Sequence, residues 1–419
     1  MKYKTTKIED ICLKVTSGGT PKSTNEAFYN PKEVPWLKTA EVNYCRIYDT
    51  ETYISKEGLN RSSAKLIPEN SVIIAMYGQG DTAGRVAINK VPLCTNQACC
   101  NLIINHDIAD YEYVYYTLST LYNKLVSLKN GGAQPNLNAG IIKNVEIPFP
   151  DIEIQHRIAD ILSSYDDLIE NNRKQIKLLE EAAQRLYMEW FVDLRFPGHE
   201  ETPIVDGVPA GWERLTVTEC LELHIGGGWG KESPVGKNTI RGKVIRGTDI
   251  NDVKAGKYTD IPFRYHTEND IKKRTLKIND IVFELSNGNM NNIGRCLLID
   301  DLILRNCGAN TICASFCKLF RPIDRIHALT LYWEIQDMQS SGRMLPFKKQ
   351  GANGINNFAF EDFLEHELLV PNNEILLKPL EYIMLKISNI QNQLALLIQA
   401  RDRLLPKLMS GEIEVLCCI

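Results

Sequence analysis

The sequence lacks the motifs by which most enzymes acting on DNA or nucleotides are recognised. Its 419 residues contain no Pro-Pro dipeptide, which a base-amino methyltransferase needs in the loop that holds a flipped base. There is no GxxxxGK[ST] phosphate loop, and neither GxSxG nor HExxH occurs. The seven histidines are not clustered at metal-ligand spacing. We therefore expect this chain to have no catalytic residues, no metal site and no cofactor of its own.

Long apolar runs and paired cysteine motifs are also missing. No run of about 18 uncharged apolar residues occurs, and the first residues contain no apolar segment with a cleavage site. We therefore expect a cytoplasmic, unprocessed protein. The twelve cysteines form no CxxC pair. In a reducing compartment such cysteines are more often buried small hydrophobic residues than disulfides or zinc ligands.

The net charge gives little sign of a nucleic-acid partner. It is −4 over the whole chain, which argues against a histone-like protein but not against one whose basic residues lie on one face. The length exceeds what one hydrophobic core usually supports, so we expect two or more domains.

An internal repeat accounts for that length. Short matches recur in the same order along the two halves, and their offset drifts from 209 to 221 residues. An ordered series of this kind is typical of a tandem duplication. The matched pairs include Gly18 with Gly227, Asn70 with Asp280, Val72 with Val282, Gly84 with Gly294, Asn96 with Asn310, Asn136 with Asn357 and Pro150 with Pro371.

Each repeat opens with a pattern typical of a mixed α/β globule. Short apolar runs bounded by turn residues, such as 71–78 and 280–288, predict strands. Helical spacing predicts one amphipathic helix from Tyr111 to Leu125 and a shorter equivalent near 331–338.

A long helix follows each globule, because core-like residues recur there at alternating spacings of three and four, the seam of a coiled coil. Either helix alone would expose its apolar stripe, so we predict that the two pack antiparallel, with the globules related by a pseudo-twofold axis. Asn172 either fixes the register or is only a seam defect. The first seam is Ile154, Ile158, Ile161, Tyr165, Leu168, Asn172, Ile176, Leu179, Ala183, Leu186 and Trp190. The second is Leu380, Ile383, Ile387, Ile390, Leu394, Leu397, Arg401, Leu404 and Leu408.

The predicted fold class is therefore α+β, with two mixed α/β domains in tandem and two long helices forming an antiparallel coiled coil. We place the first domain at residues 1–150, a central helix at 151–196, a linker and second domain at 197–371, and a C-terminal helix at 372–419. Such a helix would span roughly 55 Å, and B-DNA advances about 34 to 36 Å per turn. Two globules on this helix pair could touch one duplex at two places, with the helices as a ruler.

Loops rich in basic and amide side chains are the candidate DNA contacts. Lysine and arginine suit phosphates, and asparagine and glutamine can pair bidentately with adenine, although solvated loops and turn caps have the same composition. In the first domain the candidates are Arg61, Ser62, Ser63, Lys65, Asn96, Gln97, Gln134 and Asn136. In the second they are Arg241, Arg246, Lys272, Lys273, Arg274, Asn289, Lys348, Lys349 and Asn353.

Several segments together carry a family pattern. They are SGGTPKS (17–23), VPWLKTAEV (34–42), the run 58–88, the helix 154–193 and LLPKLMSGEIEV (404–415). In this order they resemble the specificity subunit of a type I restriction-modification system over essentially the whole chain. The resemblance implies two target recognition domains, each reading one half of a bipartite, asymmetric DNA site, and a helical pair that sets the spacer between the halves.

The resemblance also implies partners. These are double-stranded DNA, two methylation subunits that use S-adenosylmethionine, and restriction subunits that use ATP and Mg for translocation and cleavage; no membrane is involved. The match is weaker in the second repeat, where 224–240 contains no GGTP. The second long helix also lacks the Glu-Gln pair that the family often has at the helix head.

Two other functions remain open from the residues alone. A self-sufficient methyltransferase or endonuclease would modify DNA without partners, and the missing motifs count against it. A coiled-coil adaptor that binds only proteins would leave no footprint on DNA even after assembly with a methylation subunit.

Overall fold

The computed structural model describes residues 3–129, 136–351 and 354–415. The chain forms two compact units, one comprising Met1–Leu168 with Leu397–Ile419 and the other Ile169–Leu396. Each unit contains one globule and a part of each of two long helices. Among the described helices, none is long and apolar enough to cross a membrane.

Two small sheets form the frame of the first unit. One has the strand order β2-β10-β7-β8-β4 and the other β5-β3-β9-β6, while β1 pairs with β11. The strands are β1 Thr5–Lys7, β2 Cys12–Ser17, β3 Val34–Leu37, β4 Cys45–Ile47, β5 Tyr53–Ile54, β6 Leu66–Ile67, β7 Val72–Ala75, β8 Val86–Asn89, β9 Leu93–Thr95, β10 Cys99–Ile104 and β11 Glu146–Pro148.

The predicted helix from Tyr111 to Leu125 is two helices that meet at Leu121. Its first turn is capped by Asp110, whose carboxylate accepts a hydrogen bond from the Tyr113 amide at 2.8 Å. The Asp110 amide in turn donates to Gln155 of the long helix at 3.1 Å. The helices are α1 Lys56–Asn60, α2 Tyr111–Thr120, α3 Tyr122–Ser127, α4 Ala139–Lys143 and the long α5 Ile152–Tyr187, which continues as a π-helical turn at Met188–Val192.

The second unit repeats most of this frame and adds other strands, but its described sheets contain no counterparts of β4 and β6. Its sheets have the orders β15-β22-β18-β20 and β17-β16-β21, and β14 pairs with β25; β19-β24-β23 and β12-β13 are additional. The strands are β12 Ile204–Val205, β13 Val208–Pro209, β14 Trp212–Thr216, β15 Leu221–Gly226, β16 Ile240–Ile245, β17 Phe263–His266, β18 Ile281–Glu284, β19 Ser286–Asn287, β20 Cys296–Leu298, β21 Ile312–Cys313, β22 Cys317–Pro322, β23 Lys348–Lys349, β24 Asn356–Phe358 and β25 Glu367–Pro371.

The expectation of a shorter helix near 331–338 is wrong. The equivalent of α2 in the second unit has 17 residues and is longer, because Asp324 caps its start and Gly342 ends it in the left-handed region at φ 83°. The helices of this unit are α6 Ile250–Lys254, α7 Glu268–Arg274, α8 Asp301–Cys307, α9 Arg325–Ser341, α10 Phe360–Leu364 and the long α11 Lys378–Ser410.

The paired glycines of the repeat make the same contacts in both units. The amides of Gly18 and Gly19 donate to the carbonyls of Cys99 and Thr95, and those of Gly227 and Gly228 donate to Cys317 and Cys313. A Cβ on Gly18 or Gly227 would collide with the carbonyl oxygen of Thr95 or Ala314. Glycine returns at this place because the backbone of the neighbouring loop passes too close for a side chain.

Backbone hydrogen bonds also correct three of the matched pairs. Asn70 and Asn279 share a positive φ, 62° and 73°, so Asn279 rather than Asp280 is the counterpart of Asn70. The same register makes Ile281 the equivalent of Val72. The amides of Asn96 and Ala314 donate to the equivalent residues Leu37 and Ile245, so Asn96 corresponds to Ala314, not Asn310. Asn70 was matched one residue too far along the chain, and Asn96 was missed because its counterpart Ala314 retains the backbone hydrogen bond but not the side chain.

The repeated segments 131–150 and 350–371 close each globule. The amides of Leu137 and Phe358, 221 residues apart, donate to the carbonyls of the equivalent residues Met76 and Leu285. A short helix follows in each unit, α4 or α10, and then a strand that pairs with the first strand of its own globule. The described parts of this repeat therefore bring the last strand back to the first before each long helix begins.

The long helices pair antiparallel as judged within each unit. In the first unit, Ile158 and Leu162 of α5 share a core with Leu408 of α11; in the second, Ala183 and Tyr187 share a core with Leu380. The N-terminal part of one helix thus meets the C-terminal part of the other.

The predicted seam of α11 agrees with burial, and Ile158 of α5 is buried as predicted, but the following part of the α5 seam is displaced by one residue. Leu162, Asp166 and Ile169 are buried, whereas Ile161 and Leu168 are exposed. The apolar pattern passed over Asp166 because it is charged. Asp166 can be buried because Tyr116 donates to it at 2.6 Å and Arg401 pairs with it at 2.7 Å. This pair also explains the arginine at a seam position of α11.

Candidate nucleic-acid interface

Three segments of the first domain meet at the glycine turn after β2. The indole Nε1 of Trp36 donates to the Gly19 carbonyl at 3.0 Å, and a Cβ on Gly19 would collide with the Ser63 carbonyl. Gln97 accepts a hydrogen bond from the Thr20 hydroxyl. We call Thr20, Ser63, Lys65 and Gln97, which are all exposed, the first-domain loop cluster.

The remaining predicted DNA contacts of the first domain lie beside this cluster or make contacts within the domain. Lys65 donates to Thr16 at 3.2 Å. The Asn96 side chain accepts from the Cys99 thiol at 3.3 Å, and its backbone amide donates to the Leu37 carbonyl. Arg61 ends α1 and pairs with Glu57 at 2.7 Å, and Ser62 accepts from the Ala64 amide. Asn136 is exposed, and Gln134 lies outside the described residues.

The loops 286–292 and 347–354 of the second domain come together through one small sheet. In it β24 lies between β19 and β23, so Asn357 faces Ser286 on one side and Lys349 on the other. Lys348 donates to Gln339 at 3.1 Å, and burial lowers its pKa. Lys349 reaches Asp362 at 3.2 Å, with both side chains largely exposed. Asn289 caps a short 3-10 helix, and Asn353 lies outside the described residues.

Two arginine candidates of the second domain are already engaged. The backbone amide and the guanidinium of Arg246 both donate to the Asp249 carboxylate, the guanidinium at 2.6 Å, and Arg246 also donates to the Asp260 carbonyl. Arg274 pairs with Asp270, and its Nε donates to the Gly226 carbonyl at 2.9 Å. These contacts support the loops and leave fewer donors for a ligand.

Three other cations of the second domain are exposed. Lys272 and Lys273 lie in the last turn of α7. The Arg241 guanidinium lies 3.9 Å from the centre of the Phe263 ring. Within the part of the chain that the structure describes, none of these three has an acidic side chain within ion-pair distance.

Two exposed aromatic residues, one beside Arg241 and one beside Arg264, were not predicted from the sequence. Trp229 and Phe263 are 40% and 44% exposed, and the Arg264 guanidinium lies 4.6 Å from the centre of the Trp229 ring. Neither ring stands in a recognisable motif, and only the register of β16 with β17 brings Phe263 beside Arg241. The available signal was an indole directly after three glycines.

A buried ionic network joins α5 to the second globule. Glu334 of α9 accepts hydrogen bonds from Tyr187 at 2.8 Å, Arg343 at 2.9 Å and His366 at 2.8 Å. Burial alone would raise the pKa of Glu334, but hydrogen bonds from His366 and Arg343 outweigh it and lower this pKa to about 2. The geometry suits a fixed structural joint.

A cavity of about 510 Å³ with both polar and apolar walls lies beside this joint, within the second unit. Its walls include Glu180 of α5, Lys254 of α6, Gln336 of α9 and Ser388 of α11. The Lys254 ammonium donates to Gln336 at 3.3 Å, and burial lowers its pKa. Burial also raises the pKa of Glu180. Polar side chains of this kind are compatible with bound water.

Known proteins are similar to the first domain and, in one case, to nearly the whole chain. A family model, described as the type I restriction modification DNA specificity domain, matches residues 1–181. The type I restriction enzyme MjaIX specificity subunit of Methanocaldococcus jannaschii is 28% identical and aligns over 98% of this chain and 93% of that protein. The EcoR124I/EcoR124II specificity subunit of Escherichia coli is 29% identical, over 43% of this chain and 45% of that protein.

A solved structure has the same fold. The crystal structure of the type I restriction-modification S subunit from M. genitalium matches with a TM-score of 0.61 at 16% identity, over 97% of this chain and 96% of that one. The predicted class, tandem mixed α/β domains with long helices, is confirmed. The fold and the sequence matches define a DNA sequence-recognition protein of a restriction-modification complex. More particularly, residues 1–181 match the type I restriction modification DNA specificity domain, and nearly the whole chain is similar to a type I restriction enzyme specificity subunit.

Proposed function

We propose that this chain reads a bipartite, asymmetric DNA target, with one half-site for each domain, and has no catalytic activity itself. The observation that carries the proposal is that the two domains share a backbone frame but differ in the side chains that their loops expose. Both domains have the same glycine turn and most of the same strand pairings, whereas the exposed residues around the turn differ. Equivalent frames with unlike side chains favour two unlike half-sites, since base edges are read by particular side chains.

The chemistry is assigned to partners. Two methylation subunits would bind S-adenosylmethionine and methylate the target, and restriction subunits would use ATP and Mg to translocate and cleave DNA. The missing phosphate-loop and Pro-Pro motifs support this division. In the proposed division of labour, residues 1–150 and 197–371 recognise DNA, while 151–196 and 372–419 set the spacing.

The direct test is to map methylated bases in cells that express this chain with its methylation subunit. We expect one bipartite motif with an unread spacer. Methylation by the isolated chain would support the self-sufficient enzyme instead. The absence of any DNA footprint from the assembled complex would support the adaptor.

The ruler is tested by adding one heptad to each long helix. Seven residues lengthen a helix by about 10.5 Å, which corresponds to about 3 base pairs of duplex. We expect the unread spacer in the methylation motif to grow by that amount while both half-sites stay the same. Heptads placed in the exposed linker near 200–206 serve as the matched control and should leave the spacer unchanged. A spacer that ignores the helical insertions would exclude the ruler.

A further inference from the structure

The two domains differ most in charge along the segment that follows the glycine turn. Residues 229–274 contain eleven lysines and arginines against six aspartates and glutamates, whereas the equivalent residues 20–65 contain seven against six. The whole chain is acidic, at −4. The positive charge of the second domain is therefore concentrated where the first domain is nearly neutral.

This segment folds into an extended hairpin with exposed rings. Strand β17 pairs with β16 over four residues, from Ile240 with His266 to Lys243 with Phe263, whereas β5 pairs with β3 over two in the first domain. The register makes Tyr53 the counterpart of Phe263, and Asp49 accepts a hydrogen bond from the Tyr53 hydroxyl. The first domain thus has an anionic, locally hydrogen-bonded pair where the second has the cation Arg241 against Phe263.

The contacts of Arg241 and Arg264 assign them different tasks. Arg264 is largely buried, donates to the Phe263 carbonyl and Glu232, and covers one face of Trp229. It supports the indole, whose remaining surface is exposed. Arg241 is exposed on Phe263, and its guanidinium has no hydrogen-bond acceptor among the described residues. A cation held on a ring keeps its edge N–H groups available to phosphate oxygens.

The glycine turn joins this hairpin to the rest of the recognition frame. Gly228 packs beside Arg274 of α7, and Lys231 exchanges backbone hydrogen bonds with Tyr265 of β17 at 2.8 and 2.9 Å. Trp229 lies between these two contacts. The indole is therefore held on a hydrogen-bonded backbone, next to the turn that the first domain uses to gather Ser63 and Gln97.

Resting on the proposed function, we propose that Trp229, Arg241 and Phe263 form a DNA-contacting surface for the second half-site. Arg241 contacts a backbone phosphate, Phe263 positions its guanidinium, and Trp229 makes apolar contact with the deoxyribose or base edges beside that phosphate. The partner is double-stranded DNA because the surface is cationic on an acidic chain and is a direct continuation of the recognition frame.

The test measures binding of the chain, assembled with its methylation subunit, to duplexes that contain the mapped target. Trp229→Ala should weaken binding about tenfold, as expected of an aromatic anchor. Arg241→Gln should weaken it severalfold and reduce the slope of log K against log salt by about one. Phe263→Ala should resemble Arg241→Gln, while Trp229→Phe should retain most of the affinity.

Matched controls come from the same unit. Ile323→Ala removes an exposed apolar side chain beyond Pro322, at the opposite end of the β15–β22 pair from Gly226. Arg305→Gln removes an exposed arginine of α8. Both should bind like wild type, and melting temperatures of all variants should be unchanged if the effects are local.

Each outcome decides a different question. Wild-type affinity and salt slope in all three Ala or Gln variants, beside a wild-type complex that binds its target, would exclude this surface and leave the proposed function intact. Loss of assembly with the methylation subunit would make the surface a protein interface and overturn the inference. A wild-type complex without sequence-specific binding would overturn the proposed function and this inference with it.

Discussion

The two globules are attached to the long helices by different kinds of packing. In the first unit the core of the globule continues into the helix pair, so Tyr113, Leu162 and Leu408 belong to one buried cluster. In the second, the globule core and the helix junction are separate clusters, and Glu334 and the cavity lie at the junction. One frame can therefore be joined to a helix pair by extending the globule core, or by a separate apolar cluster with the hydrogen bonds of Glu334 beside it.

The largest expected effect is on the apolar junction. Leu162→Ala removes a fully buried side chain and should lower the free energy of unfolding by about 3 kcal/mol, from lost burial and the cavity left behind. Denaturant titration measures this change. Leu178→Ala, an exposed position of the same helix, should stay within about 0.5 kcal/mol. A loss below about 1 kcal/mol for Leu162→Ala would show that the junction repacks.

The ionic contacts of Glu334 at the second junction should contribute less and be sensitive to acid. Glu334→Gln should cost about 2 kcal/mol, because Arg343 and His366 lose a charged partner in a buried site. The folded-state pKa of Glu334 is lowered to about 2 from an ordinary 4.5. Its stabilisation is therefore present above about pH 4.5 and is lost as the pH falls toward 2.

Acid titration separates the two junctions. Wild type should lose stability of the second unit between about pH 4.5 and 2, and Glu334→Gln should have a flatter profile there. Glu361→Gln, an exposed carboxylate, is the control and should retain the wild-type profile. Identical acid profiles for all three proteins would exclude Glu334 as the stabilising group.

The lysines of the two domains should act on different half-sites. Replacing both Lys348 and Lys349 by Ala should weaken DNA binding about tenfold and reduce the slope of log K against log salt by up to two. Lys65→Ala should reduce that slope by about one. Duplexes that retain only one half-site measure each domain separately. A Lys65 variant that impairs binding to the second half-site would contradict the assignment of one half-site to each domain.

The smallest expected effect concerns the cavity. Burial lowers the pKa of Lys254 below 10.5, so wild-type stability should rise with pH on approaching that value, as the folded state sheds its proton first. Lys254→Met should abolish this rise and be neutral or stabilising by about 1 kcal/mol, since a desolvated cation is replaced by an apolar chain. A strongly destabilised Lys254→Met would mean that the ammonium holds the junction together.

Much of the architecture was predictable because periodicity is a property of the local sequence. The spacing of apolar residues predicted both long helices, and the seam of α11 from Leu380 to Leu408 agrees with burial. The predicted seam of α5 was wrong at Asp166. A search for apolar residues passes over a charged side chain, although this one is buried with its partners. Arg401 is 235 residues away, and no local pattern joins the two.

The candidate DNA contacts show the same division. Polar loops were recognisable by composition, but their mutual positions were not: Ser286 and Lys349 meet through β24, whereas Arg246 is occupied by Asp249. Trp229 and Phe263 were not predicted as DNA contacts, because a single exposed aromatic residue has no sequence signature. Their interest comes from the arginines that the hairpin register brings to them.

The sequence by itself determined the duplication, the long helices and the glycine turns, because each depends on residues close in the chain or on steric demands of the backbone. Only the tertiary structure decided the true register of the repeat, the burial of Asp166 and Glu334, and which cations remain unpaired. Those features depend on contacts between distant segments, and the free energy of a buried charge is set by partners that the local sequence does not name.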